Sequence, residues 1–421
     1  KIVDGRLKVD QAIIAGCAGG SFENLMEAAA IVNSRSLGNG DLTFSVYPSS
    51  QPIYLELIKN GTAAQLMSAG AVLRTAFCGP CFGAGDVPAN NSLSIRHSTR
   101  NFPNREGSKP GEGQISSVAL MDARSIAATA VNGGFLTPAT ELDYVKPDLT
   151  YHFDGSIYKN RVYNGFGRPQ KDRELRFGPN IADWPKMIPL QEHLILKIAS
   201  VITDPVTTTD ELIPSGETSS YRSNPLKLAE FTLARKDPQY VARAKAVRAL
   251  ELERQQLVAG EKDPADISAG LEALGEHVIA DAKLSMTLEE LFKNSGIGST
   301  IYALKPGDGS AREQAASCQK VLGGWANIAK EYATKRYRSN LINWGMLPFT
   351  FAGNPDIFTV DSIVFIPNLR QKLIAKEQKI PALVINSGGT KQIELMLPAL
   401  TDDETEIILK GSLINYYSVA K

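Results

Sequence analysis

Ala12-Ile13-Ile14-Ala15-Gly16-Cys17-Ala18-Gly19-Gly20-Ser21 decides the reading of the first part of the chain. Its small and apolar residues make a short strand, Cys17 ends that strand, and Gly19-Gly20-Ser21 turns the backbone. Ser21 stands where a helix cap belongs. Beyond it Leu25, Met26, Ala29 and Val32 fall on one face of a helix over residues 22–32. The same rhythm continues. Residues 42–46 read as a strand closed by Pro48, and 52–59 as a helix stopped by Asn60-Gly61. Residues 62–68 read as a helix, 71–74 and 92–98 as strands, and 117–131 as a helix ending at Gly133-Gly134. Alternating strands and helices predict an α/β fold, a parallel sheet covered by helices. Ligands of such sheets sit beyond the carboxyl ends of the strands. Cys17 and Cys78-Gly79-Pro80-Cys81 both fall there, so they can converge.

Residues 1–140 are therefore expected to form one α/β domain. The rhythm is lost over 141–195, where stretches such as Tyr163-Asn164-Gly165-Phe166-Gly167-Arg168-Pro169 predict a structured surface linker. A second domain, 196–421, opens near Glu192-His193-Leu194-Ile195-Leu196-Lys197-Ile198. Residues 227–262 are rich in Ala, Lys, Arg, Glu and Leu at helical spacing, and predict solvated helices within an insertion over about 227–290. After a strand at 299–304, Gly307-Asp308-Gly309-Ser310-Ala311-Arg312-Glu313 is a Gly-rich loop that opens a helix.

Composition narrows the function classes. A chain of 421 residues is too long for one ordinary core. Its 45 basic and 45 acidic residues leave no net charge, which argues against a nucleic-acid partner. No apolar run approaches the roughly 18–20 residues that span a bilayer, and no signal peptide opens the chain, so no membrane association and a cytoplasmic location are expected. Four cysteines exclude a disulfide scaffold. The four histidines (His97, His152, His193, His277) share no short motif, which argues against a histidine-rich metal site.

Cys17 and the Cys78/Cys81 pair use three of the four cysteines. Three thiolates suit an iron–sulfur cluster in which one iron lacks a protein ligand. A lone C-x-x-C is equally a redox pair or half of a zinc site. A zinc site would want a fourth ligand, and no histidine sits at ligand spacing. Cys318 lies in a helical stretch and reads as a small packed residue.

The wider text bears on that choice. Ile14-Ala15-Gly16-Cys17, Phe77-Cys78-Gly79-Pro80-Cys81-Phe82-Gly83 and Ser98-Thr99-Arg100-Asn101-Phe102-Pro103-Asn104-Arg105 closely resemble the cluster-binding segment of the aconitase family, and the interval from Cys17 to Cys78 suits it. In the second domain, Thr208-Thr209-Asp210 with Arg222 twelve residues on, and Gly307 to Glu313, resemble the family's active-site segments. Leu322-Gly323-Gly324 and Gly345-Met346-Leu347-Pro348-Phe349 resemble its mobile swivel domain. Residues of about 140–190 and 227–295 match poorly. The resemblance implies a cluster-bearing α/β domain, a linker and a swivel β/α domain. It implies a 4Fe–4S cluster on Cys17, Cys78 and Cys81, and substrate-binding roles for Arg100, Arg105, Arg222 and Arg312. It also implies Ser310 as catalytic base and Asp210 as a group that supports proton transfer or orients its neighbours.

Those roles fit the chemistry. Several cations suit a di- or tricarboxylate, and each guanidinium offers a planar fork to one carboxylate. A serine is a poor base unless its alkoxide is stabilised, and a helix start supplies N–H groups and a positive dipole end. Ser310 read simply as a helix cap is compatible with that role. Some positions depart from the family pattern. Thr99 stands for an Asn beside the cluster, Glu211 for a His, Ala311 for a second Ser, and Gln314 for a His. Losing the second hydroxyl points away from citrate or isocitrate and toward a different hydroxy acid.

The implied activity is a hydro-lyase on a hydroxy di- or tricarboxylic acid. The alternatives are a cluster-free RNA-binding regulator and an inactive structural fragment. Family chains carry their cluster cysteines far from the N-terminus, after a half that supplies further active-site residues. With Lys1 first, the resemblance implies a fragment, inactive alone, whose N-terminal half lies on the same polypeptide or on a partner subunit. A cluster left open to solvent and oxygen would then be readily lost.

Overall fold

Alternation of side chains along the 11–14 strand sets the architecture of the first unit. A computed structural model describes residues 1–38, 40–81, 83–99, 106–108, 113–214 and 218–418. Two compact units divide the chain, Lys1–Arg173 and Glu174–Lys421, with the boundary inside the 141–195 stretch. In the first unit Gln11–Ile14 is the central strand of a five-stranded sheet. The order is Val72–Leu73, Thr43–Val46, Gln11–Ile14, Ser92–His97, Ser116–Leu120, and every adjacent pair is parallel.

The two faces of this sheet differ. Ala12, Ile14, Phe44, Val46 and Ile95 point to one side and join the main core. The helices Phe22–Val32, Gln51–Lys59, Thr62–Ala69 and Ala123–Val131 close that side, contributing Leu25, Leu57, Leu66 and Ile126. Strand side chains alternate, so Gln11, Ile13, Ser45, Ser94 and Arg96 point the other way. Ile13, Ala15 and Tyr47 form only a small cluster there. The rest of that face is polar, and Gln11, Ser94 and Arg96 are buried on it.

Local signals account for most element ends. Ser21 caps Phe22–Val32, its side chain accepting from the Asn24 N–H. Gly19 and Gly20 follow Cys17 because nothing larger fits. A Cβ on Gly19 would overlap the His97 carbonyl oxygen, and one on Gly20 the Tyr47 carbonyl oxygen. The expected helix over 117–131 is corrected. Ser116–Leu120 is an edge strand, and the helix is Ala123–Val131, capped by Asp122 through the N–H groups of Arg124 and Ser125. Pairing with Ser92–His97 overrides the helical preference of this Ala- and Leu-containing stretch.

Between 142 and 192 the helix Ser156–Arg161 is the one α-helix among the described residues. The second unit then closes a seven-stranded barrel. Its order is Ser295–Ala303, Gly324–Ala329, Leu347–Thr350, Gly389–Met396, Lys379–Asn386, Ile363–Ile366, His193–Ile202, and back to Ser295–Ala303. Leu196, Ile198, Ile328, Phe349, Val364, Val384 and Leu395 belong to its core. Helices Arg312–Val321 and Lys335–Asn343 pack outside through Cys318, Val321, Tyr337 and Leu341, so Cys318 is the packed residue expected. The Tyr337 hydroxyl accepts from Gln319 Nε2 (2.9 Å) and Asn327 Nδ2 (2.8 Å), tying both helices to the barrel.

The helices expected to be solvated have a firmly buried face. Tyr240–Val258 buries Tyr240, Ala244, Val247, Glu251 and Arg254. Glu251 accepts from the Ile297 N–H at 2.7 Å, and Arg254 donates to the Phe292 carbonyl at 2.7 Å, so this helix is fixed to a barrel strand. No helix among the described residues is long and apolar enough to cross a membrane.

Lys320 is the buried charge with the clearest consequence. It is 8% exposed, lies 3.6 Å from the Trp325 ring centroid, and has no hydrogen-bond partner for Nζ among the described residues. Burial pushes its pKa down to about 7, against the pull of Glu251. Between that value and the ordinary lysine range the unfolded chain binds one more proton, so stability rises with pH across this window. Lys320→Met should therefore be more stable than the parent near pH 7, by on the order of a few kcal/mol. The gap should shrink toward pH 10 in urea unfolding curves.

Candidate functional site

In the first unit, loops after the strands Gln11–Ile14, Val72–Leu73 and Ser92–His97 meet at the carboxyl edge of the sheet. Cys17 follows Gln11–Ile14, and the 78–81 turn follows Val72–Leu73, with the Cys81 N–H donating to the Cys78 carbonyl at 3.1 Å. The Ala15 N–H donates to the His97 carbonyl (2.9 Å) and the Tyr47 N–H to the Ile14 carbonyl (2.8 Å), which locks the strand ends together. Cys17 Sγ lies 3.2 Å from Thr99 Oγ1, a hydrogen bond. Cys81 Sγ would touch a Cβ on Gly16 at 3.6 Å, so it sits over bare backbone beside Cys17. Cys17 and Cys78 are exposed and Cys81 is half-buried. Arg100 and Arg105 lie outside the described residues.

A polar layer under the 78–81 turn was not singled out from the sequence. Arg96 is 2% exposed. Its guanidinium donates to Ser94 Oγ (2.9 Å), the Pro80 carbonyl (2.9 Å), Gln11 Oε1 (3.2 Å) and the Asp86 carbonyl (3.3 Å). Burial pushes its pKa down, while the charges of Glu106, Cys81 and Asp86 oppose the shift. Tyr47 donates to Asp86, whose carboxylate also holds Arg74 at 3.2 Å. Burial and that hydrogen bond push the Tyr47 phenol up to about 12. His97 has a buried Nδ1 with no hydrogen-bond partner among the described residues, and burial lowers its pKa against the pull of Asp122. The one signal of this layer in the sequence is the Ser94-x-Arg96 alternation inside an apolar strand.

In the second unit a short parallel ribbon, Thr207–Thr208 with Pro306–Asp308, brings two loops together. The Ala311 N–H donates to Thr209 Oγ1 at 3.3 Å, and a Cβ on Gly309 would overlap the same oxygen. Asp210, in the short helix Thr209–Leu212, and Ser310, just before the helix Arg312–Val321, thus sit on adjacent segments. Ser310 is exposed, Arg312 half-buried and Arg222 exposed. Ala311, not Ser310, is the N-cap residue of Arg312–Val321, and its own side chain makes no cap hydrogen bond. Asp210 accepts from Arg235 Nη1 at 3.1 Å, a partner the sequence reading missed. Glu211 closes a capping box with Thr208 and binds Lys236 at 3.3 Å.

Among the described residues no three His, Cys, Asp or Glu side chains gather closely enough to hold a single metal ion. That bears on a mononuclear zinc site rather than on a cubane, in which each thiolate takes a different iron. Native alkylation read by mass spectrometry should modify Cys17 and Cys78 first. Cys318, 1% exposed and with its thiol pushed up to about 12 by burial, should react only after unfolding.

Comparison with known proteins gives two family matches. Residues 2–128 match the aconitase family (aconitate hydratase), and residues 281–354 match the aconitase C-terminal domain. A 3-isopropylmalate dehydratase large subunit of Thermoanaerobacter pseudethanolicus is 32% identical over 129 residues, 30% of this chain and 31% of that protein. A probable methanogen homoaconitase large subunit of Methanothermobacter thermautotrophicus is 34% identical over 134 residues, 32% of this chain and 30% of that protein. The chain thus spans about a third of the length of these relatives. A solved 3-isopropylmalate dehydratase from Methanocaldococcus jannaschii covers 54% of this chain and 95% of its own, with a TM-score of 0.32 and 23% identity. By the two family matches, residues 2–128 and 281–354 belong to the aconitase-like superfamily.

Proposed function

We propose that the chain serves a hydro-lyase acting on a hydroxy di- or tricarboxylic acid, with a 4Fe–4S cluster held by Cys17, Cys78 and Cys81. The observation that carries this reading is the convergence of Cys17 and Cys81 at Gly16, with Thr99 on the Cys17 sulfur. An all-sulfur donor set on solvent-facing turns fits a cluster better than it fits calcium or magnesium, which want oxygen. When bound, the cluster supplies a Lewis-acidic iron with an open position for substrate oxygen.

The remaining chemistry belongs to side chains of this protein. Ser310 removes a proton from the carbon beside a carboxylate. The helix start that follows it supplies N–H groups and a positive dipole end, and Arg312 adds a full charge. Asp210, held by Arg235, orients this loop and assists proton transfer. Arg222 and Arg312 bind substrate carboxylates through their forks, as do Arg100 and Arg105. Ala311 offers no hydroxyl, which favours a hydroxy acid other than citrate. The relatives' names, 3-isopropylmalate dehydratase and homoaconitase, support a hydroxy-acid substrate. Their designation as large subunits supports further polypeptide, on the same chain or on a partner subunit, completing the site.

Anaerobic reconstitution with iron and sulfide should give a broad visible charge-transfer absorbance and about four irons per chain. Cys17→Ser and Cys78→Ser should each lose most of it, and a Cys78→Ser variant with full cluster content would overturn the assignment. In a screen of hydroxy acids with the reconstituted protein and its partner polypeptide, Ser310→Ala should lower kcat by about 10²–10⁴ while leaving cluster content unchanged.

A further inference from the structure

The loop that carries Cys78 and Cys81 rests on a single buried cation. We propose that Arg96 is a positioning residue for this loop and a fixed counter-charge for the cluster, an inference that rests on the cluster reading above.

Two features of the guanidinium support this. It is a fork inserted between strand and loop. On the strand side it bonds Ser94 Oγ and Gln11 Oε1, and on the loop side the carbonyls of Pro80 and Asp86. Gln11 Nε2 donates to the same Asp86 carbonyl at 3.1 Å, so both ends of the 80–86 segment are drawn onto the polar face of the sheet. Pro80 lies between the two cysteine positions closest to each other in sequence. Its carbonyl therefore fixes the pitch of the turn from which both thiols project.

The second feature is what the fork does not touch. All four acceptors are neutral oxygens. A guanidinium 2% exposed, whose partners among the described residues are all neutral, is costly in a low-dielectric interior. Among the described residues the acidic groups that act on it are Glu106, Cys81 and Asp86. Asp86 is already shared with Tyr47 and Arg74, and Glu106 accepts from Ser108 and Ser116. Glu106 and Asp86 thus supply part of the counter-charge, and Cys81 adds to it from the loop side. A 4Fe–4S core on three thiolates is net anionic, and one added electron makes it more so. A cation buried beneath the loop stabilises the reduced form more than the oxidised one.

Two readouts test the two parts. In the cluster-free protein, Arg96→Gln should speed amide hydrogen exchange across residues 78–86 by tenfold or more, with the helix Phe22–Val32 unchanged. In the reconstituted protein, Arg96→Gln should move the cluster's midpoint potential to more negative values. The expected shift is a tenfold change in the oxidised-to-reduced ratio, about 59 mV for one electron. Arg96→Lys keeps the charge and loses the fork, so it should retain the parent potential while its loop exchanges faster. It is also the variant to use if Arg96→Gln does not fold. Arg74→Gln removes a cation whose side chain is 47% exposed and should leave the potential nearly unchanged. A parent protein that takes up no cluster overturns the counter-charge and the cluster reading together, while hydrogen exchange still decides the positioning role. A loaded protein whose potential and loop exchange ignore Arg96→Gln overturns this inference alone.

Discussion

A steric limit at Gly19-Gly20 underlies the arrangement of the first unit. The turn after Cys17 runs so close to the ends of two neighbouring strands that a Cβ on either glycine would overlap a carbonyl oxygen, His97 on one side and Tyr47 on the other. With both glycines present, the backbone N–H groups of Ala15, Tyr47 and Ser49 find partners across the three segments. The strand ends become one hydrogen-bonded rim, and Cys17, Thr99 and the 78–81 turn stand on it. Side-chain chemistry here depends on backbone contact first. The three thiols are spread over loops that short-range sequence does not connect, and the rim supplies the connection.

The polar underside of the sheet follows from the same geometry. A strand covered by helices on both faces reads as a continuous apolar run. Ser92–His97 alternates instead, with Ile95 in the core and Ser94 and Arg96 beneath the cysteine loop. That loop is irregular, so its carbonyls need donors from elsewhere, and the strand provides them. The second unit solves a related problem with a ribbon of two short strands, which sets the Thr209 hydroxyl against the Gly309–Ala311 backbone.

Much of this was legible in the sequence, for reasons that differ from element to element. Ser21, Gly19-Gly20 and the spacing of Leu25, Ala29 and Val32 are local signals, and the helix they predict is the one observed. The 116–131 stretch was misread because its first half is held as a strand by Ser92–His97, an interaction that propensity does not encode. Ser94-x-Arg96 was visible as a pattern, but its partners at Pro80 and Asp86 come from a loop without periodicity. Arg235 lies in a stretch rich in charges at helical spacing, where nothing local marks it out. Its pairing with Asp210 spans 25 residues and depends on how the loops fold. Barrel closure was the least legible feature, since the buried strands around it carry no mark of their order.

The closing seam of that barrel joins His193–Ile202 to Ser295–Ala303, two strands separated by the whole of residues 203–294. Bringing such distant segments together costs loop-closure entropy before any strand contact repays it. The intervening helices Tyr240–Val258, Ala269–Asp281 and Leu288–Asn294 pack on one another and on the barrel, where Val247, Leu271, Val278 and Leu291 share a cluster with Ile195, Ile297 and Phe365. Once compact, they shorten the effective loop and hold its ends near each other, with Glu251 and Arg254 already beside the second strand. The insertion thus braces the seam. A chain with these helices unravelled would be left with two long, flat, apolar strand edges unpaired, the kind of surface from which aggregation starts.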